Sequence, residues 1–266
     1  QSQSQDARLV AEALGIEPSK VRIHTTFLGG GFGRRASAVS DFAVEAALVA
    51  QGVGKPVKVV WTREDDMRGG YYRPLSFNRV KAAVGADGMP VAIHHVTVSK
   101  PVLANTAMGK MAVTKEGLDP STIEGSADMP YAIPNLRVEV HNTREAVPIL
   151  WWRSVGHSIT GFVTNSVIDE LATLTGKDPY EYRRELLKEK PRHLAVLERA
   201  AIEANWGQTL PAGHFHGIAL QESFGSIVAQ VAEVSVSDGK ARVHRVTCAV
   251  DCGLAVNPSQ VVAQME

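Results

Sequence analysis

The chain has 266 residues, 44% hydrophobic and 21% charged, a globular composition with apolar mass for one large core or two smaller ones. Lys plus Arg and Asp plus Glu number 28 each, so bulk charge favours neither nucleic acid, anionic lipid nor an acidic substrate, and charge recognition must be local. No apolar run approaches the roughly 20 residues of a membrane span, the opening Gln1-Ser2-Gln3-Ser4-Gln5 has no initiator Met or signal pattern, and Cys248 and Cys252 are too few for a disulfide framework and read as packed thiols.

In chain order, Ala7, Val10, Ala11 and Leu14 recur at helical spacing and predict a helix over 6–14. The β-branched, partly alternating Val21–Phe27 predicts a strand, a glycine loop follows, and a helix is predicted from Asp41 to Gln51 with Gly52 as its stop. A strand is expected over 57–62, then two long antiparallel strands, 77–86 and 89–99, flanking Asp87-Gly88. Residues 100–134, rich in Gly, Pro, Thr and Ser without a clear period, read as a long structured loop or binding segment. A strand over 135–146, a turn at 148–158 and a helix over 159–174 ending at Gly176 come next. Asp178-Pro179 opens a second helix, and 191–205 a third. Strands at 217–222, 226–236 and 240–251, the last two joined by Asp238-Gly239, precede a helix opened by Asn257-Pro258. Strands and helices mixed without regular alternation predict an α+β fold with mixed, largely antiparallel sheets and packed helices, divided into 1–145 and 146–266.

The first chemical feature is Gly29-Gly30-Gly31-Phe32-Gly33-Arg34-Arg35. Three glycines let the backbone approach a ligand closely, amides at a helix start favour anions, and the two arginines add permanently charged donors suited to a phosphate or polyanionic cofactor. A tight turn with surface arginines is the plain alternative. Gly31, Gly33 and Ala36 also fit the looser dinucleotide fingerprint of an NAD(P)-binding oxidoreductase, although the hairpin that follows is not a crossover unit and Phe32 is bulky for a pyrophosphate turn.

Phe27-Leu28 and this loop resemble the glycine-phenylalanine-glycine loop of the molybdenum hydroxylases, the xanthine oxidase and aldehyde oxidase family, in the arginine-arginine form of the isoquinoline 1-oxidoreductase beta-subunit group. Four further segments agree in order: Lys55–Met67, Tyr131–Arg137, Trp152-Arg153-Ser154-Val155-Gly156-His157-Ser158, and Asp251–Pro258 running on to Ala263-Gln264-Met265-Glu266. The resemblance implies an internal piece of the large, cofactor-binding subunit. It implies a molybdenum-pterin cofactor in its molybdopterin cytosine dinucleotide form, hydroxylation of an aldehyde or N-heteroaromatic C–H with water-derived oxygen, and electrons leaving through iron-sulfur clusters on a small [2Fe-2S] partner subunit and on to a cytochrome acceptor. A bacterial periplasmic or inner-membrane location is the matching expectation, with the cytoplasm as the alternative.

By the same resemblance the cofactor contacts are Gly30, Gly31, Phe32, Gly33 and Arg34, then Trp152, Arg153, Ser154 and Val155, and finally Gln264. Phe32 and Gly33 would offer backbone N–H groups, Arg153 would bond the pterin or anchor the backbone, and Gln264 has the donor and acceptor to satisfy the pterin edge. Taken alone, Arg153 is a turn arginine and Gln264 one polar residue on an amphipathic helix. The glutamate these enzymes use as general base has no match here, so no catalytic residue and no protein metal ligand is assigned, and the chain by itself is expected to be inactive. The methionine-glycine-glutamine-glycine segment has no match either, and Ser121–Gly125 stands where xanthine-specific members carry an arginine, which disfavours purines. A non-catalytic scaffold in which the same loops merely pack is the remaining alternative.

Overall fold

The computed structural model describes residues 2–104, 106 and 108–266. It comprises two compact units, each assembled from separated stretches: Gln1–Leu75, Ser99–Ser121 and Asn142–Val155 in the first, and Ser76–Val98, Thr122–His141 and Gly156–Glu266 in the second. The single boundary expected after residue 145 falls inside the last stretch of the first unit. Among the described residues, no helix is long and apolar enough to cross a membrane.

In the first unit, α1 (Gln3–Leu14) buries Val10 and Ala11 and packs on α2 (Asp41–Val53). The α2 helix runs through Gly52 and ends at Gly54, whose φ of 68° is the left-handed cap. A glycine stops a helix when its backbone turns left-handed, and sequence does not say which of two neighbouring glycines will do so. The expected strands at 21–27 and 57–62 take no regular secondary structure and join no ladder among the described residues. A β-branched segment becomes a strand only when a neighbour takes its backbone groups. Phe27 and Val60 are open to solvent. In contrast, α3 (Arg63–Gly69) forms where no helix is expected. Thr62 and Asp65 make a reciprocal capping box, with Asp in the place usually held by Glu. The long loop holds a short helix, α4 (Gly109–Ala112), and is ordered around the fully buried carboxylate of Asp119, which accepts bonds from Leu103 N (2.6 Å) and from Ser121 N and Oγ (3.0 and 2.6 Å).

The second unit carries the three-stranded sheet β1–β2–β3 (Ser76–Val84, Pro90–Ser99 and Asn135–Asn142), the last strand shorter than expected. At Asp87-Gly88, Gly88 N bonds Gly85 O and Gly88 turns left-handed at φ 78°, which closes the hairpin as expected. Helices α5 (His157–Leu174), α6 (Pro179–Leu186) and α7 (Pro191–Glu203) follow, with Asp178 capping the N–H groups of Tyr180 and Glu181. Strands β4 (His214–Ser223), β5 (Ser226–Ser237) and β6 (Lys240–Asp251) form an antiparallel meander whose tight turn places Asp238 and Gly239 at φ 50° and 71°. Finally α8 (Pro258–Met265) is capped by Asn257. Alternation along the meander turns Ile218 and Leu220 of β4 and Ile227, Ala229 and Val231 of β5 inward, against Leu197, Ala200 and Ala201 of α7 and the buried face of α5. The α+β class is as expected. Cys248 is half-buried, but Cys252 is exposed in the turn after β6 and is not a packed thiol.

Candidate functional site

Within the first unit, the glycine loop is a sharp reversal. Gly30 takes φ 134°, and the Phe32 ring lies so near it that a Cβ there would fall 2.5 Å from Phe32 Cε2. Phe32 (φ 49°) and Gly33 (φ 92°) are both left-handed, a 3-10 turn over Arg34–Ala36 follows, and the helix begins only at Asp41. Turns of this kind bring successive backbone N–H groups together into an anion-binding concavity.

The second loop, Trp151 to Val155, is equally strained. Ser154 (φ 65°) and Val155 (φ 43°) are consecutive left-handed residues, a rare state for a β-branched side chain, and each such residue costs on the order of 1–3 kcal/mol. Such strain persists only where surrounding bonds over-determine it, and here the two loops lock one another. Arg153 N donates to Phe32 O at 2.9 Å, and Gly33 lies so close to the second loop that a Cβ would fall 2.0 Å from Trp151 O. Arg73 Nη2 donates to Arg153 O at 2.9 Å. A parallel bridge between Tyr72 and Ile149, with Tyr72 N bonded to Pro148 O and Leu150 N to Tyr72 O, holds the approach to the loop.

Arg34, one of the expected cofactor contacts, is held against the start of α2. Its guanidinium is buried, grips both oxygens of Asp41 (3.1 and 2.6 Å) and lies over the rings of Phe42 and Tyr71. Burial by itself would raise the Asp41 carboxyl, but the bonds and charge of Arg34 help to outweigh it and hold that group below its usual range. Arg34 therefore fastens the turn to the start of α2 through its paired bonds to Asp41. Trp152, in contrast, buries an indole Nε1–H that no acceptor among the described residues reaches. Buried donors of this sort ordinarily have partners. The orphaned indole is a donor of the kind that an acceptor-rich group such as a phosphorylated pterin would satisfy.

Gly30, Gly31, Phe32, Gly33, Arg34, Trp152, Arg153, Ser154 and Val155 all belong to the first unit, whereas Gln264 is an exposed residue of α8 in the second. Sequence reasoning missed Trp151, Asp41, Tyr71 and Arg73. Asp41 left a signal, a carboxylate at a helix start seven residues after Arg34. Arg73 left none, being 80 residues from the carbonyl it holds. The dinucleotide reading of Gly31, Gly33 and Ala36 is not supported, because no paired strand precedes the loop among the described residues and the next α-helix starts only at Asp41.

Residues 1–187 match the family described as Molybdopterin cofactor-binding domain. The chain is 32% identical over 262 residues to isoquinoline 1-oxidoreductase subunit beta of Brevundimonas diminuta, covering 96% of this chain and 33% of that protein. It is also 32% identical over 286 residues to a membrane-bound aldehyde dehydrogenase [pyrroloquinoline-quinone] of Gluconacetobacter polyoxogenes, covering 97% of this chain and 36% of the relative. The chain thus spans about a third of the length of either relative. Among solved structures, quinoline 2-oxidoreductase from Pseudomonas putida 86 shares the fold, with a TM-score of 0.61 at 18% identity over 87% of this chain and 31% of that one.

Proposed function

Because this chain belongs to the molybdopterin cofactor-binding domain family of the molybdenum hydroxylases, we propose that it forms part of the cofactor envelope of an enzyme that hydroxylates an aldehyde or an N-heteroaromatic ring. When bound, the cofactor supplies a redox centre at which water-derived oxygen enters a C–H bond. The chain's own residues bind and orient. Phe32 and Gly33 present backbone N–H groups, Trp152 donates its indole N–H, and preorganised dipoles of this kind need no rearrangement as negative charge develops. Arg153 contributes through its backbone bond to Phe32, and Arg34 and Arg73 keep the two turns rigid. Gln264 is proposed to contact the pterin edge in the complete enzyme.

The observation that carries this reading is the locked pair of strained turns beside an orphaned indole donor. We extend the reading to the cytosine dinucleotide form of the cofactor, a small [2Fe-2S] subunit as first electron acceptor with a cytochrome beyond it, and a periplasmic or inner-membrane site of action. The chain by itself is proposed to carry no molybdenum and to turn over neither aldehydes nor N-heterocycles, since no residue in it matches the family's glutamate base and general acid-base catalysis typically contributes about 100-fold to 10,000-fold.

Elemental and pterin analysis of the complete enzyme tests the proposal. Stoichiometric molybdenum with released cytidine monophosphate is expected, and Trp152→Phe is expected to lower both together. Metal-free enzyme carrying a quinone, the cofactor named for the Gluconacetobacter relative, would sink it. Cofactor content unchanged in both Gly33→Ala and Arg153→Ala would favour the scaffold alternative.

A further inference from the structure

The β1–β2–β3 sheet of the second unit turns one face to the core. His95 Nε2 lies 2.8 Å from Asn78 Oδ1 and Thr97 Oγ1 lies 3.2 Å from Ser76 Oγ, and with Val80 and Ile93 these residues make the inner side. Side chains alternate along a strand, so Lys81 and Ala83 of β1 and Ala92 and His94 of β2 stand on the opposite face. Asn135 Nδ2 donates to Val91 O at 2.9 Å and Glu139 Oε1 lies 3.2 Å from His94 Nε2. These contacts seat β3 along the other edge of β2, with Glu139, and so Arg137 two residues before it, on the outer face. The strand order therefore places Lys81 and Arg137 on opposite sides of Ala92. Lys81, Ala83, Ala92, His94, Asn135 and Arg137 line a groove of about 540 Å3 there.

The charge around this groove is unbalanced. Among the described residues, no carboxylate lines it and Lys81 has no hydrogen-bond or ionic partner. Arg137 has one, an ion pair between Nη2 and Glu139 Oε1, and the remaining donors of its planar fork are unspent among the described residues. Glu139 meets Arg137 and His94 through the same oxygen. Burial by itself would raise the Glu139 carboxyl, but Arg137 and His94 hold it below its usual range, so it counts as one negative charge beside the groove. Against that single charge stand Lys81 and Arg137, with Arg79 on the same face two residues before Lys81. The balance is positive. Ala83 and Ala92 are too small to fill the space between the two cations, which stays open.

We propose that this groove binds a short aliphatic dicarboxylate, with one carboxylate on Arg137, the other on Lys81 and the carbon chain over Ala92. The volume suits a small ligand. Strands in a sheet lie about 4.8 Å apart, so cations on the two outer strands of three stand on the order of 10 Å from one another. A single phosphate or carboxylate is too short to meet both, whereas a diacid with a hydrogen bond at each end closes that gap. The guanidinium fork matches a carboxylate in shape, and the lysine supplies a point charge at the far end. Both cations are open to water, so each contact adds little and the affinity is roughly millimolar. Nothing in this site depends on whether the loops of the first unit hold a pterin.

The test titrates the chain at neutral pH and fixed ionic strength with succinate, with acetate and with the uncharged diamide of succinate, while the amide resonances are followed by NMR. Succinate is expected to shift Ala83, Ala92 and Arg137 saturably and to bind roughly two- to fivefold more tightly than acetate, the increment of one exposed ion pair. The diamide should leave them unmoved. Lys81→Met and Arg137→Met should each bring succinate down to the affinity of acetate, whereas Glu139→Gln, which removes the opposing charge and frees the Arg137 fork, should tighten it by roughly the same factor. Lys240→Met, at the start of β6, should change nothing. Lys81, Arg137 and Lys240 are exposed, so these variants are expected to keep a folded amide spectrum. Succinate no tighter than acetate, equal losses from Lys81→Met and Lys240→Met, or weaker binding by Glu139→Gln would each overturn the proposal. Molybdenum and pterin are not read in this experiment, so its failure leaves the cofactor assignment where it stands.

Discussion

The two units solve the problem of order by different means. The contiguous core of buried apolar residues lies wholly in the second unit, where α5, α6 and α7 close over the meander, and Leu187, Leu197, Ala200 and Ile227 are fully buried. Among its described residues, the first unit buries only Val10, Ala11, Val102 and Leu150 as apolar side chains and leaves Phe27, Leu28 and Val60 exposed. Its order rests on polar devices: the Arg34–Asp41 pair, the Asp119 carboxylate, the Thr62–Asp65 box and the backbone bonds that lock the two strained turns. Apolar burial is non-directional, whereas hydrogen bonds fix the distance and angle between named atoms. A cradle for a cofactor belongs with the second kind.

That contrast breaks most sharply in the core. Leu197→Ala empties a fully buried position on α7 and is expected to cost about 2–5 kcal/mol, read as a lower urea midpoint for amide exchange across α5, α7 and the meander, with the first-unit turns little affected. An equal loss in both units would show that they unfold together.

Gly33→Ala is the counterpart in the first unit. It introduces a Cβ 2.0 Å from Trp151 O at a φ of 92°, so one or both loops must move, at a cost on the order of 1–3 kcal/mol confined to this unit. Loss of the Arg153 amide's exchange protection is the readout. Protection retained at that amide would mean the locking is not what orders the turns.

A smaller effect sharpens the comparison at a cap. Thr62→Ala removes one half of the capping box of α3 and should cost about 1 kcal/mol, seen as faster exchange in residues 63–69 alone. Spread of that change into the second unit would contradict the division.

The least change is expected from pH. The Arg192 hydrogen bonds, helped by the Gly253 N–H, hold Asp251 of the second unit down from 3.8 to about 2. A depressed carboxyl stabilises the fold fully above its unfolded value and loses that contribution as pH falls through the folded one. The Asp251 contribution is therefore complete above pH 3.8 and disappears toward pH 2. Since both partners are partly exposed, the effect is small and screened by salt. Arg192→Met should return the Asp251 titration, followed by carboxyl carbon NMR, toward 3.8, and an unmoved midpoint would assign the depression elsewhere.

Several features were legible in the order of residues because their causes are local. Asp87-Gly88 and Asp238-Gly239 close hairpins through turn chemistry, Asp178-Pro179 and Asn257-Pro258 open helices through caps, and the glycine loop and Trp152–Val155 announce themselves by composition. Only the tertiary structure decided the rest, since each remaining feature depends on a partner distant in sequence. Val21–Phe27 and Val57–Thr62 have strand composition but no ladder among the described residues. Arg34 looks like a free anion donor until Asp41 and Tyr71 close on it. His157 meets the amide of Gln221, 64 residues away in sequence, only once the chain has folded. Local sequence sets what a backbone segment prefers. Which of its donors and acceptors remain unspent, and so available for chemistry, is settled by contacts that only the folded chain makes.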